Sequence, residues 1–185
     1  MGPQFLGRAR DPFLLLMKTL AVIFLQSILL ISVGAAQTAT TPVAHPFTDR
    51  LLGNWTGDGM FGRSAANGKA TWESVLERRF VRFSIQVDFK SADGKPRTFA
   101  GQGYYQAKAA GEYEGQWFDS EGHQYPIKSK PEGDSLVTLW GIPGQVSGRS
   151  VYRLSEADKV LEVIDSFQAR DGSWKELNRY RLRRN

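Results

Sequence analysis

Alternation of apolar and polar residues is the sequence feature that most constrains the fold. Within FVRFSIQVDF, residues 80–89, every second residue from Val81 to Phe89 is apolar, and the residues between them are polar or charged. A period of two, carried by β-branched and aromatic residues, is typical of a β-strand that buries one face. The segment is therefore predicted to be a half-buried strand.

Turn sequences divide the rest of the chain into segments of similar length. SADGKP, SEGH, PEGD and RDGS each place a glycine directly after Asp or Glu, which favours a backbone with positive φ. No segment after residue 36 shows a sustained helical period. Ten strands are predicted between the turns, near residues 52–61, 69–78, 80–90, 97–107, 112–119, 124–130, 135–141, 146–154, 159–168 and 173–183.

Short, regularly spaced strands predict an all-β domain, either a sandwich or a barrel. The chain contains no cysteine, which excludes disulfides, a cysteine-based metal site, a cysteine nucleophile and a lipid-modified cysteine. Without disulfides, open sheet edges would be a liability, and closing the sheet removes them. We therefore predict a single antiparallel up-and-down β-barrel of about ten strands.

The N-terminal region has the pattern of a secretory signal. From Met17 it carries one lysine, an apolar run over Leu20–Val33 and small residues ending at Ala36, where cleavage is expected. Residues 1–16 are predicted to be an upstream start-site extension. The apolar run is shorter than the ~20 residues of a spanning helix, so no stable transmembrane anchor is expected. An uncleaved anchor is the alternative, because translation from Met1 would add FLLLM to the run.

Cleavage would deliver the protein to the periplasm or the medium and leave a moderately basic chain. Removing residues 1–36 takes away three basic residues and one acidic residue, which lowers the formal net charge from +5 to +3. That excess is too small to indicate a nucleic-acid partner. Residues 37–48, QTATTPVAHPFT, are small, polar and interrupted by proline, and they predict a flexible leader before a barrel domain over 49–185.

The stretch LLGNWTGDG, residues 51–59, places a large aromatic residue among glycines. In a small closed barrel the first strand bends sharply, and glycine permits the bend. Gly53, Gly57 and Gly59 are therefore predicted to be hinges, and Trp55 is predicted to plug the barrel floor. A core tryptophan in another β fold explains this stretch equally well when it is taken alone.

Four segments carry a resemblance to known families: LLGNWTGDG, the GYYQ strand, EGQWFDSEG and the closing WKELNRYRLR. Gly-Asn-Trp resembles the first-strand Gly-x-Trp signature of the calycins, the superfamily of lipocalins and fatty-acid-binding proteins. Over roughly residues 47–183 the chain resembles an uncharacterised bacterial family of lipocalin-like β-barrels, known only as a domain of unknown function. The resemblance implies that a late arginine, Arg181 or Arg179, packs over Trp55 in a cation–π contact of about 1 kcal/mol.

LLGNWTGDG also resembles the opening segment of nitrobindin-like haem barrels, which hold iron through a histidine on a late strand. This chain has two histidines, His45 in the predicted leader and His123 at a predicted turn. A haem needs an axial ligand that points into the pocket. We therefore predict no haem and no other cofactor.

Strand alternation also predicts which side chains face the interior. The aromatic residues predicted to face inward are Trp72, Phe83, Phe99, Tyr105, Trp117, Trp140, Tyr152, Phe167 and Tyr180. They either fill the barrel completely or line a cavity for an apolar molecule. Inward polar groups require partners, which favours water or a ligand. The predicted ligand-binding residues are Phe83, Phe99, Tyr105, Trp117, Trp140, Ser150, Tyr152, Glu176 and Asn178.

The leading functional hypothesis is an exported barrel that binds a small hydrophobic or amphipathic molecule. A lipocalin-like enzyme is the first alternative: if Asp165 and Glu176 both face inward on adjacent strands, they form a carboxylate pair for acid–base chemistry. The competing and favoured interpretation makes Asp165 a surface neighbour of an arginine on the closing strand. A packed barrel with a structural or envelope-interaction role is the second. Phosphate-loop, metal-spacing and calcium-loop motifs are absent, so no catalytic or metal-ligating residue is assigned. No oligomeric state is indicated.

Overall fold

The computed structural model describes residues 46–108, 111–142 and 148–185. The predicted signal segment and residues 37–45 of the predicted leader lie outside the described residues. The elements are α1 (Pro46–Leu51), β1 (Gly53–Phe61), β2 (Ser64–Val75), β3 (Phe80–Lys90), β4 (Pro96–Ala107), β5 (Tyr113–Asp119), β6 (Gln124–Glu132), β7 (Ser135–Trp140), β8 (Gly148–Ser155), β9 (Val160–Gln168) and β10 (Trp174–Arg184).

The ten strands form one closed antiparallel barrel. Each strand pairs with its neighbours in sequence, and β1 closes the sheet by pairing with β10 from Trp55↔Arg184 to Phe61↔Asn178. The predicted all-β, up-and-down barrel is therefore confirmed. Closure supplies hydrogen-bond partners to the backbone groups of the first and last strands, which would be edges in an open sheet.

Side-chain alternation directs one face of each strand into the barrel. On β3, Val81, Phe83, Ile85 and Val87 are buried, as the sequence period predicts. The four predicted turns also form, because Gly94, Gly122, Gly133 and Gly172 all have positive φ. Local sequence thus determines both the strands and the turns that separate them.

The short helix α1 covers one end of the barrel. Phe47, Thr48 and Leu51 are buried there, so residues 46–48, the end of the predicted leader, belong to the folded domain. Arg50 donates hydrogen bonds of 2.9 and 2.7 Å to Asp158 in the β8–β9 turn. The helix therefore closes the end at which β1 begins.

Trp55 is fully buried beneath α1, as expected of a residue that plugs the barrel floor. Its Nε1 donates a 2.8 Å hydrogen bond to the carbonyl oxygen of Leu51. Gly57 allows β10 to approach, since a Cβ at this position would overlap the carbonyl oxygen of Arg181. Gly53 has a φ of +126°, which only glycine adopts readily.

The prediction that Arg181 or Arg179 packs over Trp55 is wrong. The guanidinium carbon of Arg184 lies 4.2 Å from the centre of the Trp55 ring. Arg184 pairs directly with Trp55 in the β1–β10 register, and cross-strand partners share a face of the sheet. Arg181 lies on the outer face, where it forms a 2.5 Å ion pair with Glu156.

Candidate functional site

A cavity of about 240 Å³ occupies the half of the barrel away from α1. On β1 the cavity is lined by Phe61, the last residue of the strand. Trp55, near the start of β1, lies on the barrel floor and does not line the cavity. The lining also includes Glu121, His123 and Leu177, which are exposed to solvent. The cavity therefore reaches the surface at this end.

Aromatic rings form a large part of the cavity wall. Phe83 stacks on Trp72 with a centroid distance of 4.5 Å and meets Tyr152 edge to face at 5.1 Å. Eight of the nine predicted ligand-binding residues line this space: Phe83, Phe99, Tyr105, Trp117, Trp140, Ser150, Tyr152 and Asn178. The rings thus surround a space and do not fill it completely.

Phe167 departs from the predicted interior set. It lies near the end of β9, its side chain is 42% exposed to solvent, and it does not line the cavity. The cross-strand partner of Phe167 on β8 is Gly148, and the ring of Trp140 covers Gly148. Trp140 therefore takes the inward space that Phe167 was predicted to share.

Three tyrosines contribute neutral hydroxyls to the cavity. The hydroxyl oxygens of Tyr105 and Tyr152 lie 3.4 Å apart. Burial raises the pKa of Tyr105 to about 12 and raises the pKa values of Tyr152 and Tyr180 well above that of a free tyrosine. All three phenols therefore stay protonated at physiological pH and can donate or accept hydrogen bonds.

A polar cluster interrupts the aromatic wall, and we call it the Asp165 cluster. Ser150 Oγ donates a 2.7 Å hydrogen bond to one carboxylate oxygen of Asp165, and Asn178 Nδ2 donates a 3.2 Å hydrogen bond to the other. Trp140 Nε1 donates to Ser150 Oγ at 3.1 Å. Adjacent strands supply these residues, since Ser150 and Asn178 are both cross-strand partners of Asp165.

Burial sets the protonation behaviour of Asp165. The carboxyl group keeps some accessible surface because it lines the cavity, yet protein surrounds it deep in the barrel. Burial raises its pKa above the usual value for aspartate, although the hydrogen bonds from Ser150 and Asn178 oppose the rise. The sequence favoured a surface position for Asp165, which is not among the predicted ligand-binding residues, whereas the structure places it inside the barrel.

The prediction that Glu176 faces the interior is wrong. A β-bulge between Glu176 and Asn178 inserts Leu177 into β10 and changes which side chains face inward. Glu176 consequently lies on the outer surface, where it forms a 2.6 Å ion pair with Arg179, and Leu177 lines the cavity. The predicted carboxylate pair of Asp165 and Glu176 therefore does not form.

The β5–β6 turn supplies polar groups at the cavity mouth. Asp119 accepts hydrogen bonds from the backbone N–H groups of Glu121 and His123, each at 3.0 Å, and from Trp117 Nε1 at 3.3 Å. The His123 ring lies 3.2 Å from the same carboxylate and stacks on Tyr125. The sequence marked this segment as a turn, but local pattern does not indicate which end of a barrel is open.

The charged side chains around the cavity are acidic, although the whole chain is basic. Asp119, Glu121 and Asp165 line it together with His123. Neither lysine nor arginine contributes to the lining in the described ranges, despite a total of 24 in the chain. Basic side chains lie on the outer face of the sheet instead, where Arg153 and Arg179 both form ion pairs with Glu162.

Within residues 46–108, 111–142 and 148–185, no three or more His, Asp or Glu side chains converge in a way that would hold a metal ion. The same ranges include no helix with the length and hydrophobicity needed to cross a bilayer.

Comparison with known proteins identifies a structural neighbour. No protein-family model matches the chain, and no curated protein matches it. Among solved structures, the chain is similar to the crystal structure of Rv2717c from M. tuberculosis, with a TM-score of 0.55 and 18% sequence identity. The match covers 74% of this chain and 93% of that one. At this identity the likeness shows a shared barrel fold alone.

Proposed function

We propose that the protein binds a small hydrophobic or amphipathic molecule inside the barrel. The observation that carries the proposal is the cavity of about 240 Å³, with aromatic walls and the Asp165 cluster on one side. Concave apolar pockets with a few placed polar groups are the usual form of small-molecule sites. A tightly packed structural barrel would have no need to leave this volume open.

The cavity volume limits the size of the molecule. An engineered apolar cavity of about 150 Å³ holds benzene, and drug-sized ligands occupy pockets of roughly 300 Å³ or more. A space of about 240 Å³ therefore suits one ring or a short alkyl group with a small polar substituent. Because the mouth includes exposed residues, a longer substituent can extend outward.

A binding experiment with a matched pair of variants tests the proposal. Phenylpropanol and a neutral naphthylamine fluorophore would be titrated into the purified full-length protein, with calorimetry, tryptophan quenching and melting temperature as readouts. Binding should raise the melting temperature, because a ligand that prefers the folded state stabilises it. Trp140→Ala changes the cavity wall and should change the affinity, whereas Leu139→Ala removes a half-exposed outer side chain and should leave it unchanged.

An enzymatic role is the second candidate, and the buried Asp165 favours it. A carboxyl group with a raised pKa beside a cavity is typical of general acids and bases. The outward position of Glu176 removes the second carboxylate that the sequence offered. Slow turnover of a bound probe, lost in Asp165→Asn while binding and folding persist, would establish this candidate in place of simple binding.

We also propose that the chain is a calycin that is exported. The Gly-Asn-Trp motif on the first strand and the late arginine over Trp55 support the calycin assignment. The signal pattern ending at Ala36 supports export to the periplasm or the medium. N-terminal sequencing of the protein from its host should find a start near Gln37, and an intact cytoplasmic product starting at Met1 or Met17 would contradict export.

A further inference from the structure

We infer that the cavity selects amphipathic organic cations, with an ammonium group paired to Asp165 and an apolar body among the aromatic rings. This inference rests on the proposed binding function and specifies its ligand class. It follows from three features of the site: the charge of the lining, the partners of Asp165 and the identity of the nearby rings.

The lining charge disfavours anionic molecules. Its fixed charges are carboxylates, and no lysine or arginine of the described residues faces them across the cavity. The two undescribed stretches within the barrel sequence, Ala-Ala at 109–110 and Pro-Gly-Gln-Val-Ser at 143–147, contain no charged residue. A ligand carboxylate would therefore meet like charges in a low-dielectric space, which is unfavourable.

The hydrogen-bond partners of Asp165 are neutral and leave its carboxylate without a counter-charge. An ionised carboxylate offers about four acceptor sites. Ser150 and Asn178 supply one hydrogen bond each, and no described lysine or arginine forms an ion pair with Asp165. A buried carboxylate without a counter-charge is costly, and an ammonium ligand would provide both the charge and further N–H donors.

The rings that line the cavity together with Asp165 suit the same chemistry. Trp140 joins the Asp165 cluster through Ser150, and Trp117 and Tyr152 line the same space. Aromatic faces attract cations, with tryptophan the strongest of them, and several faces around an ammonium group form an aromatic cage. The same rings provide an apolar surface for the body of the ligand.

The charged and titratable groups around Asp165 predict how binding changes with pH. Tyr152 on β8, Tyr180 on β10 and Tyr105 on β4 stay protonated below about pH 10. At the mouth, Asp119, Glu121 and His123 complete the set. Acidification neutralises Asp165, which weakens cation binding; a neutral probe should not show this loss.

Three probes with one apolar body test the inference on the purified full-length protein: phenylpropylamine, phenylpropanol and phenylpropanoate. By calorimetry near pH 8, the amine should bind at least about tenfold more tightly than the alcohol, since hydrogen bonds to charged groups are worth this much. The alcohol in turn should bind more tightly than the carboxylate. Asp165→Asn should reduce the amine-to-alcohol ratio to within about threefold, whereas Glu176→Gln, the same change on the outer face, should preserve it.

The pH profile of the wild-type protein provides a measurement that needs no variant. Amine affinity should fall between about pH 8 and pH 4 while alcohol affinity stays level, and the fall should persist in His123→Gln if Asp165 causes it. An amine that binds no better than the alcohol, or a preference that survives Asp165→Asn in a folded protein, would overturn the inference and leave the binding function standing. Binding of none of the three probes would overturn the binding function itself.

Discussion

Replacement of Trp55 by alanine tests whether this residue closes the barrel floor. The side chain is fully buried, and truncating a buried tryptophan to alanine typically costs about 3–5 kcal/mol. The ring also carries the Arg184 guanidinium at 4.2 Å and donates the Nε1 hydrogen bond to Leu51. These contacts add roughly 1 kcal/mol each, so we expect a loss near the upper end of that range.

The assay is urea unfolding followed by far-UV circular dichroism, which does not depend on the removed indole. A decrease in unfolding free energy below about 1 kcal/mol, at an unchanged m-value, would show that Trp55 is not a buried plug. Because single domains are stable by only about 5–15 kcal/mol, the alanine variant can be largely unfolded. Trp55→Phe keeps a ring and loses the Leu51 hydrogen bond, so it should cost about 1–2 kcal/mol. Phe118→Ala, at an exposed position, is the matched control and should cost less than 1 kcal/mol.

Three further predictions concern stability. Arg184→Met should lower the unfolding free energy by about 1–3 kcal/mol in urea melts, because Arg184 packs on Trp55 and donates hydrogen bonds to the backbone oxygens of Leu52 and Arg50. Arg181→Met is the control and should lower it by less than about 1 kcal/mol, because the ion pair of Arg181 is exposed. Gly57→Ala should lower the melting temperature, since the added Cβ would overlap the backbone of β10, and an unchanged melting temperature would contradict this close approach. Burial raises the pKa of Asp165, so the folded protein keeps the carboxyl proton to higher pH than the unfolded chain does. The wild type should therefore lose stability relative to Asp165→Asn as the pH rises above about 4. A constant difference between the two proteins across pH would contradict the buried carboxyl.

Local sequence patterns were sufficient to predict the strands and most of the cavity wall. Alternation in segments such as FVRFSIQVDF depends on a period that a single strand displays by itself. Since inward residues alternate regularly, Phe83, Tyr105 and Trp117 could be assigned to the interior without knowledge of their neighbours. The turn glycines likewise depend on local backbone conformation.

Non-local pairing explains the predictions that failed. Whether Arg181 or Arg184 meets Trp55 depends on the register between the first and last strands, which no local pattern specifies. The bulge at Leu177 reverses the alternation of β10 within one residue, so the expected period placed Glu176 on the wrong face. The helix α1 has six residues, too few for a helical period to be visible.

Electrostatic contrast between the two faces of the sheet also depends on the fold. The chain carries an excess of basic residues, and its sequence therefore suggested no preference for a cationic ligand. Closure of the barrel directs Arg153 and Arg179 outward and Asp165 inward, so the cavity differs in sign from the whole chain. Overall net charge therefore does not describe the binding site.

The most direct test of an interior binding site is to locate a bound probe by nuclear Overhauser effects. Phenylpropylamine would be added to isotope-labelled protein, and contacts between its phenyl protons and protein side chains would be recorded. The account predicts contacts to Phe83, Trp117 and Trp140, which line the cavity. Contacts confined to outer residues such as Phe118 and Leu139, or no contacts at saturating probe, would contradict it.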